Sequence, residues 1–165
     1  MGWLQRLTGF RSLQSIAAMS LALAVALSSW SVLSSGSDAG YGAGDVVVEL
    51  PEGTLAPSGR TLIIYFKPDC VACLESLEFY RHLTSIKERV PIVFVSRSKV
   101  VDVSKVLSQA AVVPNRIVSI GDRPARFRQS PKLMLLAPDG LILRVWVGRL
   151  EDTASQDEVV RAVQG

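Results

Sequence analysis

Two residues in this chain of 165 are able to carry redox chemistry: Cys70 and Cys73, its only cysteines. Thiols at C-x-x-C spacing form and break a disulfide between themselves. At the start of a helix such a pair can serve as a dithiol/disulfide couple, because unpaired backbone N–H groups favour the reactive thiolate. The pair closes the stretch Tyr65-Phe66-Lys67-Pro68-Asp69-Cys70-Val71-Ala72-Cys73. Before it, Thr61–Phe66 is a β-branched and aromatic run that reads as a buried strand, and after it residues 74–89 read as an amphipathic helix. Asp69 is the expected N-cap, which puts Cys70 in the first turn. Leu74, Leu77, Tyr80 and Leu83 make one apolar stripe with Cys73 near its centre, so Cys70 is expected to be exposed and to attack, and Cys73 to be buried and to resolve. The competing reading is a fixed local disulfide, although so small a loop gains little unfolded-state entropy. Two sulfurs and a distant His82 fall short of the four ligands of a closed metal site, so neither metal nor cofactor is expected.

The elements that must position this pair follow in a regular order. Strand 61–66 leads into helix 70–89 and then a second buried strand, 91–96. A second helix spans about 101–110 and a short strand 117–120, followed by the turn Gly121-Asp122-Arg123-Pro124. Residues 132–136 and 141–147 flank Pro138-Asp139-Gly140 and read as a β-hairpin, and a last helix covers about 155–163. This order predicts an α/β domain, a central mixed sheet flanked by helices. Asp45–Pro51 reads as an edge strand ended by its proline.

Residues 1–37 read as an export segment. Arg6 and Arg11 precede the apolar run Ile16–Leu33, and Asp38 and Asp45 follow it, which predicts a cytoplasmic N-terminus over 1–15 and the domain on the far side of the membrane. The run 16–33 is either a signal anchor or the apolar region of a signal peptide; the first is favoured, because no strict A-x-A cleavage site follows. Residues 34–45 read as a Gly/Ser-rich flexible tether and 46–165 as the domain. Outside the cytoplasm a disulfide persists. Beyond residue 37 there remain 16 of the 18 basic residues against all 15 acidic ones, so charge gives no support to nucleic-acid binding.

These landmarks together resemble the thioredoxin-like superfamily, and within it the exported, membrane-anchored TlpA/ResA-like thiol–disulfide oxidoreductases. The resemblance covers about residues 46–163 and rests on the strand followed by C-x-x-C, on Ser130-Pro131 just before a strand, and on the Pro138-Asp139-Gly140 hairpin. It implies a cis peptide at Pro131, facing the cysteines, with Ser130 and Pro131 docking the chain of a protein partner. It also implies disulfide exchange with protein thiols, reduction in the maturation of cytochrome c or another exported protein, and a membrane-embedded thiol electron donor. The site would then lie in the periplasm, on a single-pass inner-membrane protein or on a periplasmic one if residues 1–37 are cleaved.

The chain departs from that family in ways that bear on its chemistry. Asp69 stands where an aromatic residue is common and is expected to raise the Cys70 pKa, with Lys67 offsetting it. Ile64 occupies the place of a buried acid found in thioredoxins. Glu75 and Glu78 are candidate proton-transfer groups, with a solvated helix face as the alternative, and Arg116, Arg123, Arg126, Arg128 and Lys132 form a candidate basic rim. A reading from a different class remains: a thioredoxin-fold binding or assembly factor whose cysteine pair is not catalytic.

Overall fold

The computed structural model describes residues 40–122 and 126–164. The apolar run 16–33, Arg123 and Pro124 lie outside these residues. Among those described, no helix is long and apolar enough to cross a membrane.

Strand β1 (Thr61–Tyr65) is buried at every position, as its β-branched and aromatic composition requires of a central strand. On one side it pairs in parallel with β2 (Ile92–Ser96), and on the other it pairs antiparallel with β4 (Lys132–Leu136), with Tyr65 opposite Lys132. Strand β3 (Arg116–Ser119) extends the parallel side and β5 (Ile142–Val147) the antiparallel side, giving the order β3-β2-β1-β4-β5. The β4–β5 turn depends on Gly140 at φ 87°, where an added β-carbon would also meet the Val47 carbonyl at 3.0 Å.

The helices are α1 (Val71–Glu75), α2 (Leu77–Ser85), α3 (Val100–Gln109) and α4 (Thr153–Gln164). The steps from β1 to β2 and from β2 to β3 advance in one direction, and right-handed crossovers put their helices on one face of the sheet. There Leu62, Ile64, Phe66 and Phe94 meet Cys73, Tyr80, Leu83, Val103, Leu107 and Val159 in a single core. The Phe94 ring takes Phe66 and Tyr80 edge-on, at 5.8 and 5.6 Å between centroids. On the opposite face Ile63, Tyr65, Val95 and Met134 are covered by Tyr41, Val47 and Phe127.

Three expectations need correction. The helix expected over 70–89 is two helices broken at Ser76, whose Oγ donates to the Ala72 carbonyl at 2.7 Å while its N–H turns to Leu74 O. A serine side chain that takes the i−4 carbonyl competes with the helical ladder. The second piece ends at Ser85, where the Arg89 guanidinium donates to the Thr84 carbonyl, a cation at a helix C-terminus. The edge strand expected over 45–51 is a single bridge between Val46 and Leu141.

The third correction concerns the tether, whose last residues are fixed to the domain. Tyr41 is only 3% exposed and its ring meets Phe127 edge-on at 5.1 Å. Its carbonyl accepts from Lys132 Nζ at 3.1 Å, and the Arg126 guanidinium lies 5.0 Å over its ring. Arg126 also donates to Asp45 at 2.9 Å, and Asp45 accepts from the Gly42 N–H at 2.8 Å. One aromatic anchor and this small polar network therefore close the second face. Tyr41→Ala is expected to destabilise the domain by about 3 kcal/mol, in the range of aromatic-to-alanine changes in cores. The urea midpoint measures it, and an unchanged midpoint would mean that residues 40–45 contribute no cover.

Candidate active site

Both cysteines lie at the carboxyl end of the central strand, where open α/β sheets place their sites. The turn Lys67–Asp69 carries the chain from β1 to α1, and the Cys70 N–H donates back to the Lys67 carbonyl at 3.2 Å. The N-cap of α1 is Cys70 itself rather than Asp69, which is exposed. Cys70 has extended backbone (φ −93°, ψ 116°), and its Sγ accepts the Cys73 N–H at 3.3 Å, as a serine or aspartate cap oxygen would. The sulfur is thus bonded to the orphan donors of the first turn, which act locally, since α1 is only five residues long.

The two thiols are free and differently solvated: Cys70 is half-buried, whereas Cys73 is fully buried against Ile64, Phe66 and Tyr80. Opposite them the Ser130–Pro131 peptide is cis, and the Ser130 carbonyl lies 3.5 Å from Cys70 Sγ, able to accept from its thiol. Pro131 O accepts from the Gly148 N–H at 2.8 Å, which ties this loop to the end of β5.

Electrostatics divides the pair. Partial burial raises the Cys70 pKa, but hydrogen bonds from the Cys73 thiol, the Ser130 side chain and the Cys73 and Ala72 N–H groups outweigh it, leaving Cys70 below the ordinary value. Burial pushes Cys73 up to about 12, and its hydrogen bond to Cys70 and the Cys70 charge add to the rise. Of the two, Cys70 is therefore the first to ionise, and Cys73 keeps its proton to higher pH. Ser130 offers both polarities: its carbonyl accepts from the neutral Cys70 thiol, and its side chain favours the thiolate.

The remaining residues singled out in the sequence lie elsewhere. The largest effects at Cys70 are burial and hydrogen bonds; Lys67 acts on Cys73 through its backbone, which lowers the Cys73 pKa, and the Asp69 charge is felt at Tyr65. Glu75 points to the rim, paired with Arg149, while Glu78 pairs with Arg81 at 3.4 Å and His82 is exposed. Arg126, Arg128 and Lys132 gather around Gly40 and Tyr41, where Lys132 is 2% exposed and Arg126 is held by Asp45, whereas Arg116 donates to the Gly53 carbonyl at the other edge of the sheet and Arg123 lies outside the described residues. Strand alternation explains Lys132: Leu133 and Leu135 turn toward the helices, so Lys132, Met134 and Leu136 turn away. Ser76 and Tyr80 gained no role from the sequence beyond helix and stripe. Among the described residues no three His, Cys, Asp or Glu side chains gather as a metal-ligand set.

Ultraviolet thiolate absorbance against pH is expected to show one thiol ionising below the ordinary value of about 8.5 and the other silent until strongly alkaline pH. Ser130→Ala is expected to move the first midpoint upward. A depressed folded pKa stabilises the fold above the unfolded pKa, and that contribution disappears as pH falls through the folded one. Two coincident midpoints would contradict the division.

No protein-family model and no curated protein sequence matches the chain. Solved structures do. MTB DsbF in mixed oxidized and reduced forms aligns at 20% identity over 67% of this chain and 81% of that one, with a TM-score of 0.52. A Chlorobium tepidum protein provisionally named thiol:disulfide interchange protein DsbE aligns at 20% identity over 75% and 94%, with a TM-score of 0.51. The thioredoxin domain of a thiol-disulfide oxidoreductase from Bacteroides vulgatus aligns at 16% identity over 65% and 81%, with a TM-score of 0.50. The last two are named for thiol–disulfide chemistry, and what this chain shares with all three is the thioredoxin-like fold.

Proposed function

We propose that this domain is a thiol–disulfide oxidoreductase acting on protein partners. The observation that carries the reading is the unequal setting of two adjacent free thiols: Cys70 is half-buried, with its sulfur on the Cys73 N–H and beside the Ser130 carbonyl, and Cys73 is fully buried. The Cys70 thiolate attacks a partner disulfide; a Cys70–partner disulfide forms, and one partner sulfur leaves as a thiolate that takes up a proton. Cys73 then loses its proton and attacks Cys70 Sγ. The Cys70–Cys73 disulfide forms, the second partner thiolate leaves, and two electrons have passed to the partner. Run backwards, the same steps oxidise a dithiol. The cis Ser130–Pro131 segment beside Cys70 is the proposed docking edge for the partner backbone.

The finer reading follows from sequence. Arg6 and Arg11 ahead of the apolar run 16–33 support export with membrane anchoring, so the site works on the periplasmic face of the inner membrane. There it is re-reduced by a membrane-embedded thiol donor and reduces cysteines of cytochrome c or another exported protein during maturation.

Two variants test the core of this reading. Cys73→Ser is expected to trap partners as mixed disulfides on Cys70, seen as bands that collapse on reduction, and Cys70→Ser to trap none. Equilibration with glutathione buffers is expected to interconvert the wild-type pair reversibly. A pair locked as a disulfide at every poise, with no trapped partner, would leave the non-catalytic binding factor in its place.

A further inference from the structure

Ser130 and Pro131 reach Cys70 from a segment without regular structure, Arg126–Pro131, which enters β4 at Lys132. For the Ser130 carbonyl to stay 3.5 Å from one sulfur, that segment must be held in place. On the β5 side the Gly148 N–H binds Pro131 O at 2.8 Å. On the other side both ends of the segment converge on one residue, Tyr41. Its N–H donates to the Arg126 carbonyl at 3.3 Å, and its carbonyl accepts from Lys132 Nζ at 3.1 Å. Between these two bonds the Tyr41 ring meets Phe127. Phe127 in turn lies 5.0 Å from the ring of Tyr65, the last residue of the strand that delivers the cysteines.

The approach is close. A β-carbon at Gly40 would stand 3.1 Å from both the Arg126 carbonyl oxygen and Lys132 Nζ. The strap Gly40–Asp45 is itself tied to the sheet: the Gly44 N–H donates to the Ile142 carbonyl at 2.9 Å, and the Ile142 N–H to the Asp45 carbonyl at 2.8 Å. Asp45 also takes the Gly42 N–H and the Arg126 guanidinium. So β5 holds the strap, and the strap holds the loop. Lys132 is a costly residue for its place, because a buried ammonium gives up its hydration and needs a partner. An apolar side chain would close this face, as Met134 and Leu136 do further along the same strand. What a lysine adds is a bond from the residue after Pro131 to the backbone of the strap.

We propose that Tyr41 and Lys132 are positioning residues of the thiol site, a clasp that joins the two ends of the Arg126–Pro131 segment and so fixes Ser130 at Cys70. Neither touches a sulfur, and both act through the loop. Opening the clasp frees the Ser130–Pro131 peptide to drift from Cys70, which then loses the Ser130 hydrogen bonds. This rests on the disulfide-exchange reading above and adds to it the device that sets its docking edge.

The test follows alkylation of Cys70 by iodoacetamide against pH in the reduced full-length protein, read by mass. Lys132→Met replaces a buried charge by an apolar chain of similar length, a kind of change that folds tolerate. Gly40→Val keeps every charge and drives the strap off the loop; Gly40 lies outside every strand and helix, so the sheet stays intact. Both variants are expected to move the Cys70 midpoint upward by about one pH unit, so that alkylation below it slows about 10-fold while the alkaline plateau is unchanged. A role in stability alone would lower the urea midpoint and leave the alkylation profile of the folded protein where it is. If wild type does not exchange with oxidised glutathione, the exchange reading fails and the clasp with it. If wild type exchanges and both variants keep its alkylation midpoint, the clasp is overturned while the exchange reading stands. A shift in one variant alone overturns it as well: with Lys132→Met it reports lost charge, with Gly40→Val a strap that needs no lysine.

Discussion

Packing of the α1–α2 stripe onto β1 removes Cys73 from water, while the cap position leaves Cys70 half in contact with it. Transfer of a thiolate into an apolar surrounding is unfavourable, so two chemically identical groups three residues apart become an acid and a base relative to each other. The hydrogen bond between the sulfurs couples their titrations, and each proton belongs to the pair as much as to either residue. Attack by one sulfur and resolution by the other follow from that difference in solvation. Without the buried stripe, the first-turn N–H groups would still favour a thiolate on Cys70, but nothing would hold a proton on Cys73.

The sheet serves this arrangement by bringing distant segments to one strand end. β1 delivers the cysteines, and antiparallel pairing of β4 puts Ser130 and Pro131 opposite them, because Tyr65 lies in register with Lys132. The bond from Gly148 N–H to Pro131 O secures the same loop from β5. On the far face, Lys132 spends its charge on the Tyr41 carbonyl, and Arg126 on Asp45 and the Tyr41 ring. The basic residues near the site are thus structural ties. The thiolate is stabilised by aimed hydrogen bonds, which salt screens much less than the field of exposed charges.

The strands and the cysteine pair were legible because each leaves a local signature: β-branched runs between turn residues, and C-x-x-C after such a run. What failed depended on side chains satisfying backbone groups nearby. Ser76 is an ordinary helix residue by propensity, and only its bond to Ala72 O makes it a break. Asp69 is a better cap by residue type than Cys70, yet the turn puts the sulfur one position on, at the Cys73 N–H. Residues 34–45 read as flexible from their glycines, but Tyr41 is an aromatic residue among them and it found a pocket; that lone ring was the available signal. The basic cluster was counted along the chain, whereas in space Arg126, Arg128 and Lys132 gather around Gly40 and Tyr41 and Arg116 lies at the other edge of the sheet. Tyr80 was read as part of an apolar stripe, correctly for its ring, and that reading hid its hydroxyl.

The same stripe limits how the second proton can travel. Ile64 is fully buried beneath Cys73 with Leu62 and Phe66, so the strand side offers no acceptor and no room for a charge. On the helix side the stripe carries two buried hydroxyl residues, Ser76 and Tyr80. The break at Ser76 matters here, because a continuous ladder would engage the Ala72 carbonyl with the Ser76 N–H, and the Ser76 hydroxyl would not be fixed beside Tyr80. A helix defect that looks costly in isolation thus fixes a buried hydroxyl three residues after the buried sulfur. Local rules of secondary structure are most readily broken where a site needs a polar group inside an apolar core.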